Sequence, residues 1–332
     1  MSESPERPAR PTGHDVAARA GVSQATVSLA LSDPSSTRVS AATRARIVQI
    51  ADELGYRPQR AGRALRLGRT GLLLLAVPDV RSTFFARVLH GAQRAAEEAG
   101  ASVVLASGWS GRQVSEAVAG ARFDGAILCS PTDGMLRGDL GATPVVLVDA
   151  DPHTSGVERV ITLDVAEGMN LLVSHARRLG HVRVGRLESS IASHTFRARQ
   201  LAFDVAAQDL DVVRAPVDLE QGVSGSAAAA GFLLDLPDPP TVILCDDDVI
   251  AAGVYHAARA RGLSIPGDVG VLGMDDSPTA RLLDPPLSTI SFPAEDLGAG
   301  GVRAVLDTAA PVAAVAPPRI VIRGSVTRVR VG

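Results

Sequence analysis

The spacing of apolar positions divides the chain into a short helical stretch and a long alternating one. Before residue 56 apolar side chains recur at helical intervals. Val16, Ala17 and Ala20 share one face of a first helix that Thr12 can cap, with Asp15 placed to complete a capping box. Gly21 suits the left-handed turn that ends such a helix. Ser23 then caps a second helix over 24–31, which carries Ala25, Val27 and Leu31. A third helix is expected over 40–54, with Ala41, Ile47, Ile50, Ala51 and Leu54 close to helical spacing, stopped by Gly55 with Pro58 beyond. Two short helices joined by a tight glycine turn make a helix-turn-helix.

From residue 71 the period changes. Strand-length apolar runs fall at 72–77, 102–106, 125–128 and 144–148, and a second series at 182–187, 211–215, 241–244 and 269–272. Helical stretches lie between them, among them 85–99, 166–179, 194–207 and 249–261. Apolar strands joined by helical crossovers predict parallel sheets covered on both faces. Two series predict two doubly wound α/β lobes, each binding ligands outside the carboxyl ends of its strands. Facing lobes would enclose a cleft that closes by a hinge motion. The strand ends carry suitable chemistry. Asp79, Arg81, Ser82, Thr83, Phe84 and Phe85 follow the first strand, and Asp149 and Asp151 the fourth. The second lobe offers Asp246-Asp247-Asp248 and Asp275-Asp276. Carboxylates beside arginine suit a polyhydroxyl ligand, because together they accept and donate in fixed geometry. One of Phe84 and Phe85 can cover a sugar ring while the other joins the core. Asp248 and Asp276 read as braces of the segments that follow them.

Charge sharpens this division. The 332 residues sum to −3, yet 1–70 hold 11 arginines against six acids, and the remainder 22 against 30. A basic module on an acidic body is what nucleic-acid binding at one end requires. All 33 basic residues are arginine, which excludes chemistry that needs a lysine, such as a Schiff base or a P-loop. Aromatic residues are 3% of the chain, leaving few platforms for purine stacking. Cys129 and Cys245 each end an apolar run and read as reduced thiols. No apolar window of about 18 residues predicts a membrane span. The first eleven residues read as a disordered tail without the apolar stretch of a signal peptide, so a cytoplasmic location is expected. No catalytic residue, cofactor or metal site is expected. Gly222-Val223-Ser224-Gly225-Ser226 misses the second glycine of a nucleophile elbow, and no closely spaced Cys pair or His-x-x-x-His suggests zinc.

The run Asp15-Val16-Ala17-Ala18-Arg19-Ala20-Gly21-Val22-Ser23-Gln24-Ala25-Thr26-Val27-Ser28 resembles the DNA-binding headpiece of the lactose-repressor (LacI/GalR) family. So does Glu53-Leu54-Gly55-Tyr56-Arg57-Pro58. The resemblance continues through Leu179-Gly180-His181, Gly273-Met274-Asp275-Asp276, Asp284-Pro285-Pro286-Leu287-Ser288-Thr289-Ile290 and Arg323-Gly324-Ser325, and so covers nearly the whole chain. It implies a tail at 1–11, a headpiece at 12–57 and a hinge at 58–70. It implies a first lobe of 71–160 with 291–318, and a second of 161–290 with 319–332, in the manner of periplasmic sugar-binding proteins.

By position the resemblance puts Gln24, Ala25 and Leu29 at base edges in the major groove. Leu29 departs from the family's frequent arginine there, which forgoes a guanine contact. Ser23, Thr26 and Ser28 are expected to contact phosphates, with a plain N-cap as the other reading of Ser23, and Thr12, Tyr56, Arg57, Arg60 and Arg63 complete the expected DNA-binding set. A hinge helix over 59–67 would fold on DNA and wedge Leu65 between base steps, with Gly62 weakening it by about 1 kcal/mol. In the body, Arg199 matches the family's effector-contacting arginine. It joins Phe84, Phe85, Asp149, Asp247 and Asp275 as the expected effector set, with Asp247 standing where the family has asparagine and Met274 where it has an aromatic. The implied protein is a homodimeric repressor of a palindromic, double-stranded operator, controlled by a carbohydrate effector. A sugar-binding protein without a regulatory role and a sugar-processing enzyme are the alternatives.

Overall fold

A computed structural model describes residues 11–32, 37–56, 69–120, 123–132, 142–154, 156–218 and 221–329. The chain divides into two units, Met1–Thr70 and Gly71–Gly332. The hinge stretch 59–67, with Arg57, Arg60, Gly62, Arg63 and Leu65, lies outside the described residues.

The first unit holds three helices: α1 (Gly13–Ala20), α2 (Gln24–Ser32) and α3 (Ala41–Leu54). Thr12 caps α1 in a complete capping box with Asp15, and Gly21 (φ 65°) and Gly55 (φ 67°) end α1 and α3 in the left-handed region. Val16, Ala17, Ala20, Val27, Ala30, Val39, Ile47, Ile50 and Ala51 form the core. Ala41, expected on the buried face of α3, is exposed, because the buried face runs through Arg44, Ile47, Ile50 and Ala51 and Ala41 lies to one side of it. Thr12→Ala removes the half of the box made by the threonine hydroxyl, leaving the bond from the residue-12 N–H to Asp15, and should cost the headpiece about 1 kcal/mol, measured by chemical denaturation followed by circular dichroism.

The second unit contains two sheets. The first has order β2-β1-β3-β4-β5 and is wholly parallel, built from β1 (Leu72–Val77), β2 (Ser102–Ser107), β3 (Gly125–Cys129), β4 (Val145–Val148) and β5 (Val160–Ile161). The second has order β11-β10-β9-β8-β6-β7, from β6 (Arg183–Ser189), β7 (Asp211–Val217), β8 (Val242–Cys245), β9 (Gly270–Met274), β10 (Ser288–Ser291) and β11 (Arg319–Val321), with only β11 antiparallel. The expected strands are present with ends moved by at most two residues. Around the sheets run α4 (Thr83–Glu98), α5 (Gly111–Ala119), α6 (Val165–Arg178), α7 (His194–Ala206), α8 (Gly222–Leu234), α9 (Asp248–Ala260), α10 (Pro278–Leu282) and α11 (Ala294–Leu306).

The chain passes between the lobes three times: from β5 to α6, from β10 to α11, and from α11 to β11. Helix α11 packs on the first sheet against α4 at backbone contact, for a Cβ on Gly91 would strike the backbone of Glu295, and one on Gly298 the carbonyl of Val88. Arg159 fixes the return path by donating to the carbonyls of Asp307, Thr308 and Ala310 at 3.0–3.1 Å. His181 fastens the end of the chain, with one ring nitrogen 2.9 Å from Thr241 Oγ1 and the other 3.0 Å from the Thr327 carbonyl. Cys129 and Cys245 are buried free thiols at the ends of β3 and β8.

Candidate functional site

Two places carry the expected chemistry, one in each unit. In the headpiece, Ser23 Oγ accepts from the Thr26 N–H at 3.1 Å and lies 2.9 Å from the Thr26 hydroxyl, so both side chains shape the start of α2. Gln24 and Ala25, in the first turn, are exposed, while Val27 and Ala30 turn into the core. Leu29 is half-buried and packs against that core, so only part of its side chain faces outward. Tyr56 is folded back on the start of α1, where a Cβ on Gly13 would meet its hydroxyl at 3.0 Å and Gln24 Nε2 at 3.7 Å. Gly13 thus admits a tyrosine beside Gln24. Arg44 Nη1 ties α3 to α2 through the Ala30 carbonyl at 2.7 Å.

In the body, strand ends from both sheets converge. Four non-glycine residues have positive φ among those described: Ser130 (44°), Asp149 (52°), Asp275 (99°) and Asp276 (48°). All follow β3, β4 or β9 directly, and unfavourable backbone of this kind gathers at ligand sites. Asp149 is buried at the end of β4. It accepts from Ser130 beside it, and at 2.8 Å from Thr195 Oγ1 at the start of α7 in the other lobe. Burial raises its pKa, against the pull of those two hydrogen bonds. One helical turn beyond Thr195 is Arg199, only 4% exposed. Its Nη1 donates to the Asp246 carbonyl and its Nη2 to Asp275 Oδ1 at 2.9 Å. Burial opposes its charge, but Asp275, Asp246 and Asp149 outweigh that and hold its pKa up. Arg87 of α4 reaches across the lobes to the carbonyls of Asp275 (2.9 Å) and Phe292 (3.3 Å).

The three adjacent aspartates do three different jobs. Asp246 pairs with Arg186 and accepts the Ser189 N–H at 2.8 Å. Asp247 caps α9 through the Ile250 N–H at 2.7 Å, and burial pushes its carboxyl up to about 6. Asp248 accepts from the Ser277 N–H and the Thr289 hydroxyl, both at 2.7 Å, and burial pushes it up to about 7. Asp276 braces Arg323 at 2.5 Å. Of the two phenylalanines, Phe84 is the buried one, part of the core of the first lobe, so the ring left to cover a ligand is Phe85, half-buried and edge-on to it at 5.5 Å. Ser226, in the sequence tested above as a nucleophile elbow, is buried within α8 and donates to the Gly222 carbonyl at 3.1 Å.

The residues that sequence reasoning missed are Ser130, Thr195, Arg87 and Arg186. Thr195 had a signal, since it stands four positions before Arg199 and so shares its helix face. Ser130 had one too, since it follows the third strand of the first series; Arg87 and Arg186 had none, because their partners lie far along the chain.

Residues 12–59 match the bacterial regulatory proteins of the lacI family, and residues 173–326 match a periplasmic binding protein-like domain. The transcriptional regulator MalR of Streptomyces coelicolor is 33% identical over 335 residues, covering 94% of this chain and 95% of that protein. The chain belongs to the lacI family of bacterial regulatory proteins. Among solved structures, the Lac repressor dimer bound to operator has a TM-score of 0.82 at 24% identity, covering 96% of this chain and all of that one. The regulator CelR in complex with cellobiose has a TM-score of 0.68 at 28% identity, covering 95% and all respectively. As a lacI-family regulator this chain combines a helix-turn-helix DNA-binding unit with an effector-binding body. No helix among the described residues is long and apolar enough to cross a membrane.

Proposed function

We propose that this regulator is a repressor that binds a palindromic operator as a homodimer in the cytoplasm and is switched by a sugar effector held between the lobes. The observation that carries the proposal is the set of strand-end residues Asp149, Arg199, Asp247 and Asp275, which meet across the lobes with Thr195 bonded to Asp149. A ligand that competes for Asp149 must change that bond, and so the closure of the lobes. Cellobiose in the related CelR supports a sugar. On the DNA side, Gln24, Ala25 and Leu29 read bases, and Thr12, Ser23, Thr26, Ser28, Tyr56 and Arg57 position the phosphate backbone. Arg60, Arg63 and Leu65 belong to the hinge, whose folding on DNA is coupled to lobe closure by about 1–3 kcal/mol.

Operator binding is measured by fluorescence anisotropy with DNA from upstream of the gene, at several salt concentrations. Deleting residues 1–70 should abolish it, and retained operator binding in that truncation would overturn the proposal. Arg60→Ala and Arg63→Ala should each lower the slope of log affinity against log salt by about 0.9. Gln24→Ala should instead weaken the cognate operator by about 1–3 kcal/mol while leaving non-specific binding alone.

A further inference from the structure

Three separate stretches of the headpiece meet at Gly13. Gly55, in the left-handed region, reverses the chain after α3, and the Tyr56 N–H donates to the Ala51 carbonyl at 2.8 Å. That cap fixes the direction in which Tyr56 leaves the helix. Its ring packs against the headpiece core, and its hydroxyl end reaches the start of α1. Gln24 opens α2, where the bond from the Thr26 N–H to Ser23 holds the first turn, and its side chain is exposed. A Cβ on Gly13 would lie 3.0 Å from the Tyr56 hydroxyl oxygen, 3.5 Å from its Cζ and 3.7 Å from Gln24 Nε2. The φ of Gly13 is not positive, so its backbone does not call for glycine. Glycine also weakens a helix. What calls for it is space: the hydroxyl and the amide flank the position that a side chain would fill.

We infer that Tyr56 is a positioning residue for sequence recognition: its hydroxyl holds the Gln24 amide in the orientation that reads a base pair, and the bare Gly13 lets it do so. The inference rests on Gln24 being a base reader, as proposed above. An exposed glutamine has three free side-chain torsions, and its amide can turn either its oxygen or its NH2 group outward. To recognise adenine it must present both at once. A phenolic oxygen beside Nε2 can accept one of the two amide hydrogens, which leaves the other hydrogen and Oε1 for the base edge. A free amide can rotate to suit other edges, whereas one held in this way cannot. The gain therefore falls on discrimination between base pairs. In this Tyr56 does more than position the phosphate backbone, because a phosphate contact changes affinity for every sequence alike.

The probe is double-stranded DNA carrying a randomised stretch, from which the full-length protein selects, with bound and unbound pools sequenced. The proteins are the wild type, Gln24→Ala, Tyr56→Phe, Gly13→Leu and the double variant of Gln24→Ala with Tyr56→Phe, each shown to be folded by circular dichroism. Gln24→Ala marks the half-site position that this residue reads. Tyr56→Phe, which keeps the ring and its packing, should lower the preference at that same position at least three-fold. Gly13→Leu, which fills the space, should do likewise, and Tyr56→Phe carries the test alone if that variant does not fold. In the Gln24→Ala background, Tyr56→Phe should change the preference there no further, as expected of two residues acting as one unit. Equal weakening of all sequences by Tyr56→Phe, or relaxation of a different position, would overturn the inference while leaving Gln24 as a base reader. A further loss at that position in the double variant would mean that Tyr56 touches the base itself, and would overturn it too. If Gln24→Ala relaxes no position, the base-reading role of Gln24 fails and the inference with it.

Discussion

Replacing Arg186 with methionine should lower the stability of the body by about 3–5 kcal/mol. Arg186 stands in the central strand β6, fully buried, where its neighbours in the pairing are Leu244 and Arg214. Its Nη2 holds Asp246, and its guanidinium lies 4.9 Å from the ring of Phe203, which Arg214 approaches at 5.1 Å. Methionine fills a similar volume but leaves the Asp246 carboxylate buried without its cation, with only the Ser189 N–H to satisfy it. The ion pair itself is imperfect, because Arg186 Nε and Nη1 are buried without hydrogen-bond partners, Nε lying 3.8 Å from Glu188 Oε1. The double variant Arg186→Met with Asp246→Ala should therefore regain most of the loss, since an apolar replacement of a whole buried pair is often neutral or stabilising. Urea denaturation of the wild type and the variants measures both. A loss under about 1 kcal/mol in the single variant would show that the pair carries no stability.

Asp248→Asn should make the body more stable, and by an amount that grows with pH. Burial holds the Asp248 carboxyl up at about 7, against an ordinary value of 3.8. A raised folded value means that the native state holds its proton longer than the unfolded chain does. The stability this gives is fully present below about 3.8 and is lost as pH rises through about 7. Between those limits the wild type should lose roughly 1.4 kcal/mol per pH unit relative to a group that does not titrate. Asparagine keeps an oxygen for the Ser277 N–H, and its amide can donate to the Thr289 hydroxyl, reversing the bond that Thr289 donates to the carboxylate. His175 and His181, whose pKa values burial lowers, work in the opposite direction below pH 6.5, so the variant-minus-wild-type difference is the quantity to follow. From pH 5 to pH 7 that difference should rise by on the order of 2 kcal/mol. A difference that stays flat would mean that Asp248 titrates as it does in water.

The sequence was most legible where local chemistry and burial agree. Leu72–Val77 is a run of apolar residues with one reading only, and it forms β1 without a shifted end. The headpiece is as clear, because Thr12, Asp15, Gly21, Ser40 and Gly55 mark helix ends by their own hydrogen bonds and dihedrals. Helix α8 was missed, since Gly222–Leu234 is small residues nearly throughout and has no polar face to set a period. Strand β10 was missed for the opposite reason: three of its four residues are Ser or Thr, buried because Asp248, Ser325 and neighbouring backbone satisfy them. In the cleft, the strand-end position of Asp149, Asp247 and Asp275 could be read from the βα pattern. The inward commitment of Arg199 could not, because Asp246 and Asp275 lie 47 and 76 residues away. Nor could the division of labour among three adjacent aspartates, which depends on where each side chain leaves the backbone at the start of α9.

The threefold crossing between the lobes has a consequence for how the protein is made. Helix α11, which completes the first lobe against α4, lies near the carboxyl end of the chain. During synthesis that lobe stays unfinished until Leu306 has left the ribosome, with the apolar faces of α4 and the sheet uncovered in the meantime. The headpiece needs nothing beyond its own three helices and can fold first. A nascent chain would thus present a finished DNA-reading unit joined to an unfinished body, a species for which chaperones compete. Premature termination near residue 290 would strand both lobes together, leaving no half able to stand alone.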